Sequence, residues 1–77
     1  MKEIASPLPG VFYRRPDPEK PVYVEEGHEV KAGDTIGLIE VMKSFQEVKA
    51  EDDGVIKSIK VEDGAVVEAG QVVAELE

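Results

Sequence analysis

Two stretches of this chain are near-copies of each other, and a chain built twice from one short unit has few ways to fold. Residues 24–40 read VEEGHEVKAGDTIGLIE and residues 61–77 read VEDGAVVEAGQVVAELE, at a constant offset of 37 with no gap. Seven of the 17 positions are identical: Val24/Val61, Glu25/Glu62, Gly27/Gly64, Val30/Val67, Ala32/Ala69, Gly33/Gly70 and Glu40/Glu77. Self-similarity of this kind marks a repeated structural unit. The match resumes upstream, where Pro9-Gly10-Val11-Phe12 resembles Asp53-Gly54-Val55-Ile56. Gly54 to Val61 is 7 positions and Gly10 to Val24 is 14, so the first copy holds 7 extra residues within Tyr13–Tyr23. Pro16, Pro18 and Pro21 make that stretch a poor strand and a poor helix. It reads as a protruding, proline-stiffened loop.

Glycines separate short β-branched runs throughout, which is a strand-and-turn pattern. Glu26-Gly27, Asp63-Gly64 and Asp53-Gly54 suit turns that need positive φ. The expected strands are 2–6, 10–14, 22–25, 35–41, 44–50, 55–61 and 72–76. Neither half is large enough to close a core, so the two should pack face to face. The expected fold is all-β: a flattened barrel or sandwich of two antiparallel sheets with pseudo-two-fold symmetry. The half-repeats span about 4–40 and 50–77, and the loop inserted in the first spans about 13–23.

Composition narrows the function classes. With 77 residues, the chain is expected to form one domain over 1–77, marginal at that size unless compact. It has no cysteine and one histidine, His28, which excludes a disulfide framework and a structural zinc site of the usual ligands. A net charge of −8 would be repelled by nucleic acid and by an anionic membrane face. No apolar run approaches the ~18 residues of a membrane span. Met1-Lys2-Glu3-Ile4 lacks the apolar stretch of a secretory leader. A soluble, cytoplasmic, monomeric domain is expected.

Between the copies lies Leu38–Ala50, the longest stretch free of Gly, Pro, Asn and Asp. Apolar residues at 38, 39, 41, 42, 45 and 48 fit a helix, with Lys43 on its wet face. The repeat aligns Leu38-Ile39 with Glu75-Leu76 of a predicted strand, which favours β structure instead. Thr35–Ala50 is too long for one strand in so small a domain. An attachment hairpin over about 36–50 must then turn at Met42-Lys43, without a preferred turn residue. Breaks of a local rule are where function is expected.

Glu40-Val41-Met42-Lys43, set between two copies of a β unit, resembles the attachment site of biotinyl domains, whose pattern is Ala-Met-Lys-Met at a hairpin tip. Ser6-Pro7-Leu8-Pro9-Gly10 is similar to that family's opening, and the likeness extends from Ile4 to Leu76. The 13–23 insertion resembles the thumb of biotin carboxyl carrier proteins of the bacterial acetyl-CoA carboxylase type. Val41 stands where the family usually has Ala, and Ser44 where it usually has Met. The resemblance implies the biotinyl/lipoyl hammerhead fold, with biotin in amide linkage on Lys43 and Met42 supporting recognition. It implies a carrier rather than an enzyme, shuttling CO2 from biotin carboxylase to a carboxyltransferase, with acetyl-CoA as the expected acceptor. A biotin protein ligase would load the lysine.

Two other readings remain open. A lipoyl carrier domain shares the fold and the hairpin lysine, but typically places Asp before the lysine and Ala after it. An unmodified hammerhead serving as a docking or scaffold element predicts no adduct at all. Among the remaining polar residues, His28 reads as a turn residue, since its copy is Ala65. Asp52-Asp53 and Glu25-Glu26 read as solvated turn carboxylates, and Arg14-Arg15 as a solvated pair or, beside the thumb, as a contact for carboxybiotin or a partner enzyme. Glu40 and Glu47 would favour a charged Lys43 if close to it.

Overall fold

The computed structural model describes residues 2–77; Met1, the first residue of the expected 1–77 unit, lies outside them. Eight strands follow in order: β1 Lys2–Ala5, β2 Gly10–Tyr13, β3 Glu29–Val30, β4 Thr35–Val41, β5 Ser44–Lys49, β6 Gly54–Ile59, β7 Ala65–Val67 and β8 Val72–Leu76. They form two antiparallel four-stranded sheets, β1-β8-β6-β3 and β5-β4-β2-β7. This is the two-sheet sandwich expected from the repeat, and the hammerhead fold that the resemblance implies. Leu38–Ala50 holds two strands and no helix. No helix among the described residues is long and apolar enough to cross a membrane.

The expected strand over 22–25 does not form. Val24 is buried in the core, but the proline-rich loop ends there, and no partner strand lies beside it. The short strands β3 and β7 were not expected. They are two and three residues long and too brief to leave a period-2 signature.

A rotation that maps β1 to β5, β2 to β6, β3 to β7 and β4 to β8 turns the order of one sheet into that of the other. The core follows the same rule. Phe12 and Ile56, Ile39 and Leu76, Val30 and Val67, Ile36 and Val73, and Ile4 and Val48 are mates, and all ten are buried. The β1/β5 correspondence, Ile4 with Val48 and Ser6 with Ala50, has almost no identity in sequence and emerges only from burial.

Each sheet draws two strands from each half, so neither half can pair its own strands into a complete sheet. The turns lock the halves reciprocally. Gly27 N–H donates to Ile56 C=O at 2.8 Å, and its mate Gly64 N–H donates to Phe12 C=O at 2.7 Å. Gly33 N–H donates to Ala50 C=O at 2.8 Å, and Gly70 N–H to Ser6 C=O at the same distance. Side chains add to these locks: Asp53 Oδ1 accepts the Ala32 N–H at 2.8 Å, and Glu26 Oε2 accepts the Ile59 N–H at 3.3 Å. Asp53 and Glu26 are therefore turn ties rather than merely solvated carboxylates.

On the outer face of the first sheet, Glu75 accepts hydrogen bonds from Lys60 Nζ at 3.1 Å and Ser58 Oγ at 3.0 Å. The Lys60 bond, then the Ser58 bond, holds its carboxyl below the ordinary glutamate value. A depressed carboxyl stabilises the fold above the unfolded-state value of about 4.3, and that stability is lost as pH falls through the lower folded value. Glu75→Gln should flatten the decline of stability in that acid window, as read by urea unfolding at stepped pH. Gly27 and Gly64 have φ of 89° and 86° with open space around them, so only the backbone objects to a side chain. Gly64→Ala should cost roughly 1–2 kcal/mol in the same assay.

Candidate functional site

The β4–β5 hairpin is the one covalent link between the halves. Its register runs from Thr35↔Lys49 to Val41↔Ser44, leaving Met42 and Lys43 as the two residues of the bend. Both have positive φ, 49° and 67°, as a type I′ turn requires. Such turns match the strand twist but favour Asn-Gly. Every other positive-φ residue described is a glycine. The bend therefore carries strain of ~1–2 kcal/mol for each non-glycine residue. It is imposed from below, because Ile36, Ile39 and Val48 are buried and pin the register of both strands.

Strain is matched by exposure. Met42 is 93% exposed. Lys43 is exposed and has no hydrogen-bond or ion-pair partner among the described residues. Glu40 and Glu47 turn elsewhere: Glu40 accepts the Tyr13 hydroxyl at 3.2 Å, and Glu47 accepts the Thr35 hydroxyl at 2.8 Å. They flank Lys43 in sequence, but neither carboxylate bonds to its ammonium. Alternation sends residues 40 and 47 down the strands rather than over the bend.

Beside the hairpin the inserted loop folds back and leaves a groove of about 380 Å³ against Tyr13, Glu40 and Phe45. The loop's base is closed by the Tyr23 N–H to Arg14 C=O bond at 2.8 Å. The Arg14 guanidinium donates to Val24 C=O at 3.2 Å, and its backbone N–H to Asp63 Oδ1 at 2.7 Å. Arg14-Arg15 is thus not a solvated pair. Arg14 ties the loop to its own base and to the second half, and Arg15 lines the groove with its Nε shielded from solvent. Tyr13 and Phe45 meet ring to ring, centroids 6.4 Å apart at 48°. Burial, followed by the hydrogen bond and charge of Glu40 and the charge of Asp63, pushes the Tyr13 phenol above its ordinary value. It stays a donor across the neutral range. Sequence reasoning missed Tyr13 and Phe45, since aromatics two strands apart reveal their contact only through register.

His28 lies in a turn, donating its N–H to Glu25 C=O and accepting from Ile56 N–H. The described residues hold no cluster of three metal-ligating side chains. What the site offers is a primary amine, unpaired among the described residues and raised on a two-strand support.

A sequence profile for biotin-requiring enzymes matches residues 2–76. The chain belongs to that family. Biotin held covalently on a lysine defines the family. The biotin carboxyl carrier protein of acetyl-CoA carboxylase from Haemophilus influenzae is 43% identical over 65 residues, covering 84% of this chain and 42% of that protein. The corresponding protein of Pyropia yezoensis is 42% identical over 74 residues, covering 96% of this chain and 47% of its own length. The chain therefore spans less than half the length of these relatives. Among solved structures, the urea carboxylase of Kluyveromyces lactis superposes with a TM-score of 0.79 at 34% identity, over 99% of this chain and 6% of that one.

The residues at the bend fit the family's cofactor: an amide needs a free, reachable amine, and the bend supplies one that is exposed and has no bonded partner among the described residues. Because Met42 holds a backbone conformation that Asn adopts more readily, Met42→Asn should raise stability by about 1 kcal/mol. Chemical denaturation of the unmodified protein reads this directly, and an unchanged or lowered midpoint would show the bend to be unstrained.

Proposed function

We propose that Lys43 carries the biotin, and that the chain is the single biotinyl domain of a carboxyl carrier serving a biotin-dependent carboxylase. The observation that carries this reading is the unpaired Lys43 amine at a strained bend on the junction of the two halves. The family supplies the cofactor, and the geometry supports this lysine as its anchor. Once attached, biotin contributes a ureido ring able to carry a carboxyl unit. The chain's own part is mechanical. The Lys43 stem is a flexible extension on a rigid hairpin, and tethering raises the effective concentration of its cargo at any site within reach.

The names of the relatives support acetyl-CoA as acceptor, with a biotin carboxylase loading the carrier and a carboxyltransferase unloading it. A biotin protein ligase is the partner that forms the amide. We place this chain in the cytoplasm. No described side chain bonds to the Lys43 amine, so its activation falls to the ligase and its activated biotin. Met42, fully offered to solvent beside Lys43, is the residue we assign to recognition by that ligase.

Co-expression with a biotin protein ligase, followed by intact mass measurement, tests the assignment. One biotinyl group should be found on the wild type and none on Lys43→Arg, whose fold should be unchanged because the bend is exposed. Modification of the arginine variant would refute the assignment of Lys43. A lipoyl adduct in its place would move the protein to acyl carriage.

A further inference from the structure

The internal repeat is a matched control within one molecule. Positions that mate across the pseudo-two-fold axis do the same structural work, so a difference in polarity between them has a cause outside the fold. Among the buried mates only Ser6, opposite Ala50, shows such a difference. The outer faces show more. On the sheet β5-β4-β2-β7, one row crosses all four strands in register: Phe45, Glu40, Val11 and Val66. The next row is Tyr13, Leu38 and Glu47. On the other sheet the mate of Val66 is Glu29, paired with Val55, and the row equivalent to Tyr13, Leu38, Glu47 is Ser58, Glu75, Glu3. Polar groups at three positions of one face become Val66, Leu38 and Tyr13 on the other. All three exposed large hydrophobic side chains among the described residues, Met42, Phe45 at 56% and Val66 at 77%, lie on this second sheet or its bend. The inserted loop explains part of this, since it stands beside Tyr13 and Phe45. It does not reach the β7 edge, where Val66 projects with nothing over it.

The row runs from the strand that leaves Lys43 to the far edge of the sheet, three strand spacings or roughly 14 Å. Its surroundings are acidic. The groove at its Phe45 end holds three carboxylates, Asp17, Glu40 and Asp63, against the one guanidinium of Arg15. Glu68 follows β7 and is exposed. A second copy of this chain, also at −8, is a poor match for such a surface. A surface with an apolar centre and a lysine and arginine rim is a good one.

We propose that the outer face of β5-β4-β2-β7, centred on Val11 and Val66, is the docking surface for the enzyme that modifies Lys43, and that this enzyme meets it with an apolar patch inside a basic rim. The inference rests on the reading of Lys43 as the modified residue. Any enzyme reaching that amine must approach one flank of the hairpin, and this is the flank that departs from its mate.

Steady-state biotinylation by purified biotin protein ligase, with the unmodified domain as varied substrate, tests it. Val66→Lys should raise KM about tenfold, which is about 1.4 kcal/mol, with kcat unchanged. Glu29→Lys, the mate on the opposite sheet, makes a larger change in charge and should leave KM within about twofold of wild type. Raising salt should raise the KM of the wild type, because the rim contacts are screened. Thermal melts confirm folding of each variant. Should Val66→Lys fail to fold, Val66→Thr keeps the shape and should raise KM about threefold. An unchanged KM for the Val66 variant, an equal loss from Glu29→Lys, or a KM indifferent to salt would each overturn the docking surface while leaving Lys43 as the anchor. A wild type that accepts no biotin would overturn both.

Discussion

Everything in this molecule depends on the exchange of strands between its halves. A four-strand unit of this length cannot bury its own apolar side chains. It resolves the problem by lending two strands to each sheet. The glycine turns then bond across to the opposite half rather than within their own, so the halves are interlocked. Mated side chains fill the core from both sides. This arrangement also dictates that one link must join the halves, and the β4–β5 hairpin is that link.

The bend at Met42-Lys43 follows from that requirement. Nothing in its own chemistry makes it turn: a methionine and a lysine both oppose the left-handed backbone they are given. The register set by Ile36, Ile39 and Val48 forces it, in only two residues. A bend this tight holds its side chains clear of the body, which leaves Lys43 without a partner among the described residues even in a chain with 17 acidic residues. The carboxylates nearest in sequence bond to Tyr13 and Thr35 instead. Strain and accessibility thus have one origin.

The repeat made most of this legible before any coordinates. Identity between residues 24–40 and 61–77 implied two packed sheets, and the alignment of Leu38-Ile39 with Glu75-Leu76 decided strand over helix where periodicity left both open. What escaped was carried by register rather than by residue type. The β1/β5 mates share burial but almost no identity. The Tyr13–Phe45 contact joins residues that are far apart in the chain, and the ties made by Arg14, Asp53 and Glu26 link side chains to distant backbone. Val22–Glu25 failed as a strand because β propensity says nothing about whether a partner lies alongside.

The axis also exchanges the hairpin with the pairing of β1 and β8: Ile39↔Gln46 on one side becomes Leu76↔Lys2 on the other. At the hairpin corner the two strands are paired along their length, from Thr35↔Lys49 to Val41↔Ser44. A load applied at the Lys43 side chain therefore divides between both strands, and the mount resists fraying under force.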